Sequence, residues 1–223
     1  MYKIETHLHT MYSSRCGKLD AATIVSGYID AGYSGLIVTD HFNRVTFDVK
    51  NIDIFSNVDK ATCFLEGYYK IKEEGEKQGL IIYKGAEFRF DESENDYLVY
   101  GFQDQLLSDP NSIFELGLKG FYQRCKDDNM LIIQAHPFRR GCQPANPRYL
   151  DGVEVQNMHP THESHNELAW EFAHSNRALI RLSGSDCHRA DDIGRGGICV
   201  ETLPNSETEL VSILKQRKYS LIG

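Results

Sequence analysis

Short apolar runs alternate along this chain with longer amphipathic ones, the pattern of β/α units. The strand candidates are Lys3–Thr6, Leu36–Thr39, Leu80–Tyr83, Tyr97–Tyr100, Leu131–Ala135, Val153–Gln156, Leu179–Leu182 and Ile198–Val200. They are short and rich in β-branched residues, as buried parallel strands are. Between them, Asp20 caps a segment in which Ile24/Tyr28 and Val25/Ile29 share a face one turn apart. A second helix is predicted from about Asp59 to Gln78, stopped by Gly79. Three more open with S-x-x-E capping boxes: Ser112/Glu115, Ser164/Glu167 and Ser206/Glu209. Phe42–Val58 and Pro137–Leu150 read as long loops, the second punctuated by three prolines.

Eight strand candidates with five helices point to an α/β fold in a single domain over residues 1–223, a barrel with some crossovers shortened. A doubly wound open sheet is the competitor. Polar residues at the C-terminal ends of many different strands favour the barrel, because barrel enzymes build their sites there.

Composition changes the picture in one respect. Of 223 residues, 24 are basic and 32 acidic, a net charge of −8 that argues against a basic nucleic-acid groove. No extensive nucleic-acid binding is expected. The start of the chain interleaves charges, and no apolar run has secretory or membrane-spanning length. Six scattered cysteines without a C-x-x-C pair suggest free thiols in a reducing cytoplasm, with Cys16, Cys142 and Cys187 as small buried hydrophobes. The nine histidines, several beside Asp or Glu, are the unusual feature.

They follow the strands. His7-Leu8-His9 comes after the first, Asp40-His41 after the second and Gly85-Ala86-Glu87 after the third. The run at Leu131–Ala135 ends in His136-Pro137, and that at Leu179–Leu182 leads to Asp186-Cys187-His188. His7 and His9 point to one side of an extended segment, as do Asp186 and His188. Each piece alone has an ordinary structural reading: a turn for Asp40, a surface carboxylate for Glu87, a hydrogen-bonded imidazole for His136. Together, at the ends of strands in one fold, they make a divalent-metal site suited to Zn²⁺, Mn²⁺ or Fe²⁺.

On these residues the chain resembles the PHP (polymerase and histidinol phosphatase) superfamily. The matching pieces are HLHT at His7–Thr10, TDH at Thr39–His41, GAE at Gly85–Glu87, AHP at Ala135–Pro137 and GSDCH at Gly184–His188. The resemblance implies a distorted (β/α)7 TIM-like barrel with two or three divalent ions, hydrolysing phosphate esters. It further implies that His7, His9, Glu87 and Asp186 hold one ion, with Glu87 bridging. His136 would serve a second ion, and His41 with His188 a third. Two departures leave positions short of a ligand: Ser13-Ser14-Arg15-Cys16 offers no Asp or His, and Tyr100-Gly101-Phe102-Gln103 no histidine.

Around this set, Arg139 or Arg140 could take a phosphate bidentately, and Asp40 would orient a ligand histidine or a water. Asn157 and His159 lie in a loop leading into the site, His159 as a substitute ligand, a phosphate contact or a solvated histidine. The glycines around Arg195 read as a tight turn. The expected substrate is a small phosphorylated molecule. An amidohydrolase-type barrel and a degenerate, non-catalytic barrel are the rivals.

Overall fold

The computed structural model describes residues 1–54, 56 and 59–223. Phe55, Asn57 and Val58, at the end of the loop predicted over Phe42–Val58, lie outside the described residues. The chain begins with β1 (Tyr2–Glu5), α1 (Ala21–Asp30), β2 (Tyr33–Val38), β3 (His41–Phe42), α2 (Arg44–Val49), α3 (Lys60–Phe64) and α4 (Glu66–Gln78). It continues through β4 (Ile81–Arg89), β5 (Asp96–Tyr100), α5 (Pro110–Asp127), β6 (Leu131–Gln134) and β7 (Gly152–Asn157). The last elements are α6 (Asn166–Ser175), β8 (Ile180–Gly184), β9 (Gly197–Val200), α7 (Glu207–Gln216) and β10 (Tyr219–Ile222).

One sheet runs β10-β9-β1-β2-β4-β5-β6-β7-β8, with β3 paired to β4. It curls until the segments beyond β1 and β8 meet. There Leu8 bridges Cys187, His9 N–H donates to Cys187 O at 3.0 Å, and Cys187 N–H to His7 O at 3.2 Å. The α/β barrel is therefore nearly closed, and the segments that close it, His7–His9 and Cys187, carry or lie between the two same-side pairs read from the sequence.

Both faces of the sheet are buried, which is why its strands read as near-continuous apolar runs. Ile37, Leu98, Tyr100, Leu131, Ile133 and Leu182 pack inside the barrel. The alternate positions Leu36, Val38, Val99 and Ile132 pack outward against Ile24, Val25 and Ile71 of α1 and α4 and Phe121 of α5.

Several local expectations are corrected. Strands β5 and β9 are not parallel: β5 runs antiparallel to β4 and β6, and β9 to β1 and β10. The predicted Phe42–Val58 loop contains β3 and α2, the latter capped by Asn43, whose side chain accepts from Thr46 N–H. The Asp59–Gln78 helix breaks at Leu65, because the Ser13 hydroxyl wedges into the joint, donating to Phe64 O at 2.6 Å and accepting from Gly67 N–H at 3.2 Å. Asp109, not Ser112, caps α5. His165, in a left-handed conformation (φ 48°), precedes α6 in place of a Ser164 cap. Asp20 and Ser206 do cap α1 and α7. No helix among the described residues is long and apolar enough to cross a membrane.

Candidate metal centre

The closure of the barrel draws His7, His9, Asp186 and His188 together, and β4 and β6 bring Glu87 and His136 to meet them. His7 Nε2 lies 3.1 Å from His9 Nε2, 3.4 Å from Glu87 Oε1 and 3.5 Å from Asp186 Oδ1. His9 Nε2 is 3.3 Å from Glu87 Oε2 and 3.2 Å from Asp186 Oδ1. Glu87 also receives His41 Nδ1 at 2.8 Å and His136 Nε2 at 3.1 Å, while His188 Nε2 approaches Asp186 Oδ1 at 3.1 Å. All seven predicted ligands thus share one space around Glu87 and Asp186.

The backbone is bent to allow this. His136 (φ 25°) and Asp186 (φ 50°) both lie in the left-handed region, where a non-glycine residue costs about 1–2 kcal/mol. Glu154 Oε2 holds the His136 amide at 3.0 Å. Gly184 is required by close approach, since a Cβ there would stand 2.5 Å from that of His7.

The contacts are close, yet His41 Nδ1, Glu87 Oε2 and His188 Nε2 are buried atoms without a hydrogen-bond partner among the described residues. Buried polar atoms are normally satisfied. Imidazole nitrogens and a carboxylate oxygen aimed at a common space without hydrogen-bond geometry are what divalent ions require, and the donor set fits them. Ligand-atom groups compact enough for an ion are His7/His9/Asp186, His7/Glu87/His136, His9/Cys16/His41 and His41/Glu87/Asp96, each within 4.8 Å.

Charge is distributed to match. Burial opposes the charged form of Glu87, but His41 and His7 hold its carboxyl well below the usual 4.5. Burial likewise disfavours charge on Asp186, overcome by His7 and His188. Burial works against a cationic His7, yet Asp186, Glu154 and Glu87 raise it well above 6.5. Burial and the nearby His41 push His9 down to about 3.

The remaining predicted residues surround this cluster. Asp40 is buried and accepts from Thr10 N–H and Oγ1, both at 2.7 Å, bracing the turn behind His9. In that turn Ser14 Oγ reaches His9 Nδ1 at 3.3 Å. Arg139 Nη2 pairs with Asp186 Oδ2 at 2.8 Å and donates to Asn157 Oδ1 at 2.7 Å, while its Nε is buried without a partner among the described residues. Asn157 Nδ2 donates to Glu154 Oε2 at 2.9 Å and to Asp186 Oδ2 at 3.2 Å. His159 is not a solvated loop histidine: it is buried, and its Nε2 lies 3.2 Å from His188 Nδ1. Arg140 is exposed at the mouth of a cavity of about 200 Å³ lined by His41, Glu87, His136, Arg139 and His188. Ser185 Oγ accepts from Arg195 N–H and Gly196 N–H at 3.1 and 2.8 Å, and Gly194 has φ 76°, so the glycine group is a tight turn.

A model of the PHP domain family matches residues 5–209. The chain belongs to the PHP domain family. A search of curated protein sequences gives no match. Among solved structures, this PHP domain is similar to a two-domain protein from Bacteroides vulgatus containing a predicted PHP-like metal-dependent phosphoesterase. That likeness has 18% identity and a TM-score of 0.69, covering 99% of this chain and 64% of that one. The PHP domain thus spans less than two thirds of that protein. It is also similar to a lesion-specific endonuclease from Pyrococcus furiosus (14% identity, TM-score 0.62, 99% of this chain and 57% of that one). A third likeness is to an amidohydrolase from Chromobacterium violaceum with bound sulfate (13% identity, TM-score 0.55, 95% and 96%). At such identities the likeness is one of fold.

The PHP domain holds four site residues that sequence reasoning missed. Glu154 lies 3.0 Å from His7 Nδ1; a lone carboxylate within Val153-Glu154-Val155 was its signal. Asp96 was missed because β5 was taken as parallel: the antiparallel strand brings its first residue, not Gly101–Gln103, to the site. There it is held bidentately by Arg89. Cys142 backs His136 Nδ1 at 3.8 Å. Cys16, read as a small hydrophobe, faces the imidazoles: burial raises its thiol, but contacts from His188 and His41 bring it down to about 7.

Proposed function

We propose that residues 1–223 form one catalytic domain, a metal-dependent phosphoesterase that hydrolyses a small phosphate ester. The observation carrying this reading is the set of buried atoms of His41, Glu87 and His188 that lie in close contact yet make no hydrogen bond, beside an Arg139 Nε that makes none either, among the described residues. The first three are donors for cations and the fourth is a donor for an anion, all within one cavity.

His7, His9, Glu87 and Asp186 would hold one ion, Glu87 and His136 a second, and His41 with His188 a third. When bound, divalent ions of the Zn, Mn or Fe kind supply Lewis acidity, acidifying water and offsetting phosphoryl charge. The chain's own part is positioning. Arg139 offers its free Nε to a nonbridging oxygen, and Arg140 adds a second cation at the mouth. Asp186 and Asn157 fix the Arg139 fork through Nη2, and Asp40 braces the Thr10–Ser14 turn behind His9. His159 holds His188 in place.

The size of the cavity and the net charge of −8 support a small substrate over a nucleic-acid strand. A reducing, cytoplasmic setting belongs to the same reading, supported by six free cysteines. The test is a panel of aryl phosphate, phosphodiester, abasic oligonucleotide and amide substrates on protein loaded with each metal, beside a His7→Ala/His9→Ala variant. Hydrolysis of the small ester, lost with bound metal in the variant, is expected. Cleavage confined to the oligonucleotide or amide overturns the substrate class, and unchanged metal content and activity in the variant overturn the site.

A further inference from the structure

The position proposed above for His41 and His188 has a third candidate donor. The chain beyond His9 does not wander into solvent: Ser14 N–H returns to Thr10 O at 3.1 Å, and Ser13 is clamped in the joint between α3 and α4. Lys18 N–H donates to His188 O at 2.9 Å, tying the far end of the same loop to a ligand-bearing segment. Gly17 lies so close to Thr10 that a Cβ would stand 2.4 Å from its carbonyl oxygen. Cys16 sits between these anchors. Its Sγ and ring nitrogens of His9 and His41 all lie within 4.8 Å of one another, and the His188 ring lies 4.9 Å from that of His9.

We propose that Cys16 is a thiolate ligand of the ion held by His41 and His188, and that it makes this position select Zn²⁺ over Mn²⁺. The inference rests on the metal-centre reading above and goes beyond it by giving one position a different chemical character. Two imidazoles and a thiolate form a borderline-soft set suited to zinc, whereas the carboxylate-rich set around Glu87 and Asp186 accepts harder ions as well. The centre would then load unequally, with zinc kept at the Cys16 position where manganese fills the others.

Cobalt(II) reports the bond directly, because thiolate ligation gives a near-ultraviolet charge-transfer band that nitrogen and oxygen ligands do not. The metal-depleted full chain is titrated with Co²⁺ while the band and bound cobalt are followed, in wild type, Cys16→Ser and Cys16→Asp. Wild type is expected to develop the band. Cys16→Ser should lose the band and one cobalt per chain while keeping the rest. Cys16→Asp should keep the full cobalt complement without the band, and in mixed zinc and manganese its zinc preference should be smaller than that of wild type. The Asp variant guards against a fold effect, since it must still fill the centre.

Cobalt bound by wild type without the band would overturn the Cys16 assignment and leave the metal centre standing. A band that persists in Cys16→Ser would also overturn it, placing the thiolate at another cysteine. Failure of wild type to bind cobalt at all would overturn both readings.

Discussion

Glu154 Oε1 stands 3.0 Å from Nδ1 of His7, bridging residues 147 positions apart in sequence. Both side chains are buried, and the other oxygen of Glu154 accepts from the His136 amide at 3.0 Å. One carboxylate therefore sets the ring orientation of His7 and the backbone of His136. Replacing it with Gln keeps the shape and removes the charge. Glu154→Gln is expected to weaken metal binding by about 10–100-fold, the usual effect of losing the partner of a ligating imidazole. Competition against a chromogenic chelator measures this. An affinity equal to wild type would remove Glu154 from the centre.

Arg139 pairs with Asp186 through Nη2, and its Nε is buried without a hydrogen-bond partner among the described residues. Lysine at this position can keep a charge near Asp186 but cannot supply a second donor in a fixed fork. Arg139→Lys is therefore expected to lower kcat/KM for a phosphate ester by roughly 10–100-fold, the loss of one charged hydrogen bond. Bound metal should be unchanged, which elemental analysis checks. A parallel fall in metal content would mean that Arg139 builds the centre and does not recognise substrate.

Much of this cluster is legible in the sequence because its side chains stand where apolar runs stop. His7, His9, His136, Asp186 and His188 follow strands, whereas His41 opens the two-residue β3 and Glu87 lies inside β4, which runs on past the predicted Tyr83 to Arg89. What periodicity does not carry is strand direction. A buried antiparallel strand such as β5 is as apolar as a parallel one, so Asp96 at its site-facing end is hidden. Nor does it carry contacts set by tertiary packing: the Ser13 hydroxyl breaks a helix that is continuous in sequence pattern, and Arg139 occupies the Ser164 hydroxyl at 3.2 Å, away from any helix cap. Ser206 keeps its expected role because its cap is local: its side chain accepts from Glu209 N–H at 3.2 Å.

At the start of α5, Asp109 Oδ1 accepts from Ser112 N–H at 3.2 Å and Oδ2 from the Ser112 hydroxyl at 2.6 Å, just before Pro110. These bonds hold its carboxyl below the ordinary 3.8. A depressed carboxyl stabilises the fold above its unfolded value and loses that contribution as pH falls through the folded one. Because the group is exposed, the ordinary N-cap effect of about 1 kcal/mol is the relevant scale. Asp109→Ala should therefore be less stable than wild type by about that amount at neutral pH, with the two converging below pH ~4. Urea unfolding at a series of pH values tests this, and a difference that persists at low pH would show that the carboxylate is not its source.

His41 is held on a strand of two residues. Strand β3 pairs His41 with Glu87 and Phe42 with Phe88, too short a ladder to fix His41 by itself. Phe42 is fully buried, and its ring lies 4.7 Å from that of Phe88, 4.9 Å from Phe64 and 5.2 Å from Phe114. This aromatic packing, supplied by β4, α3 and α5, is what anchors β3. Phe42→Ala should cost about 3–5 kcal/mol, a large part of the stability of an ordinary domain, whereas Phe42→Leu leaves a smaller cavity and a smaller loss. The consequence for the centre follows from adjacency. With Phe42 loosened, His41 is no longer held opposite Glu87, so Phe42→Leu, although folded, should lose affinity at the His41 and His188 position before the His7 and His9 position. Urea unfolding gives the first effect and stepwise cobalt titration the second. If the leucine variant is destabilised yet fills every position as wild type does, the hydrogen bond that the His41 amide donates to Ser14 Oγ at 2.9 Å would be the anchor instead.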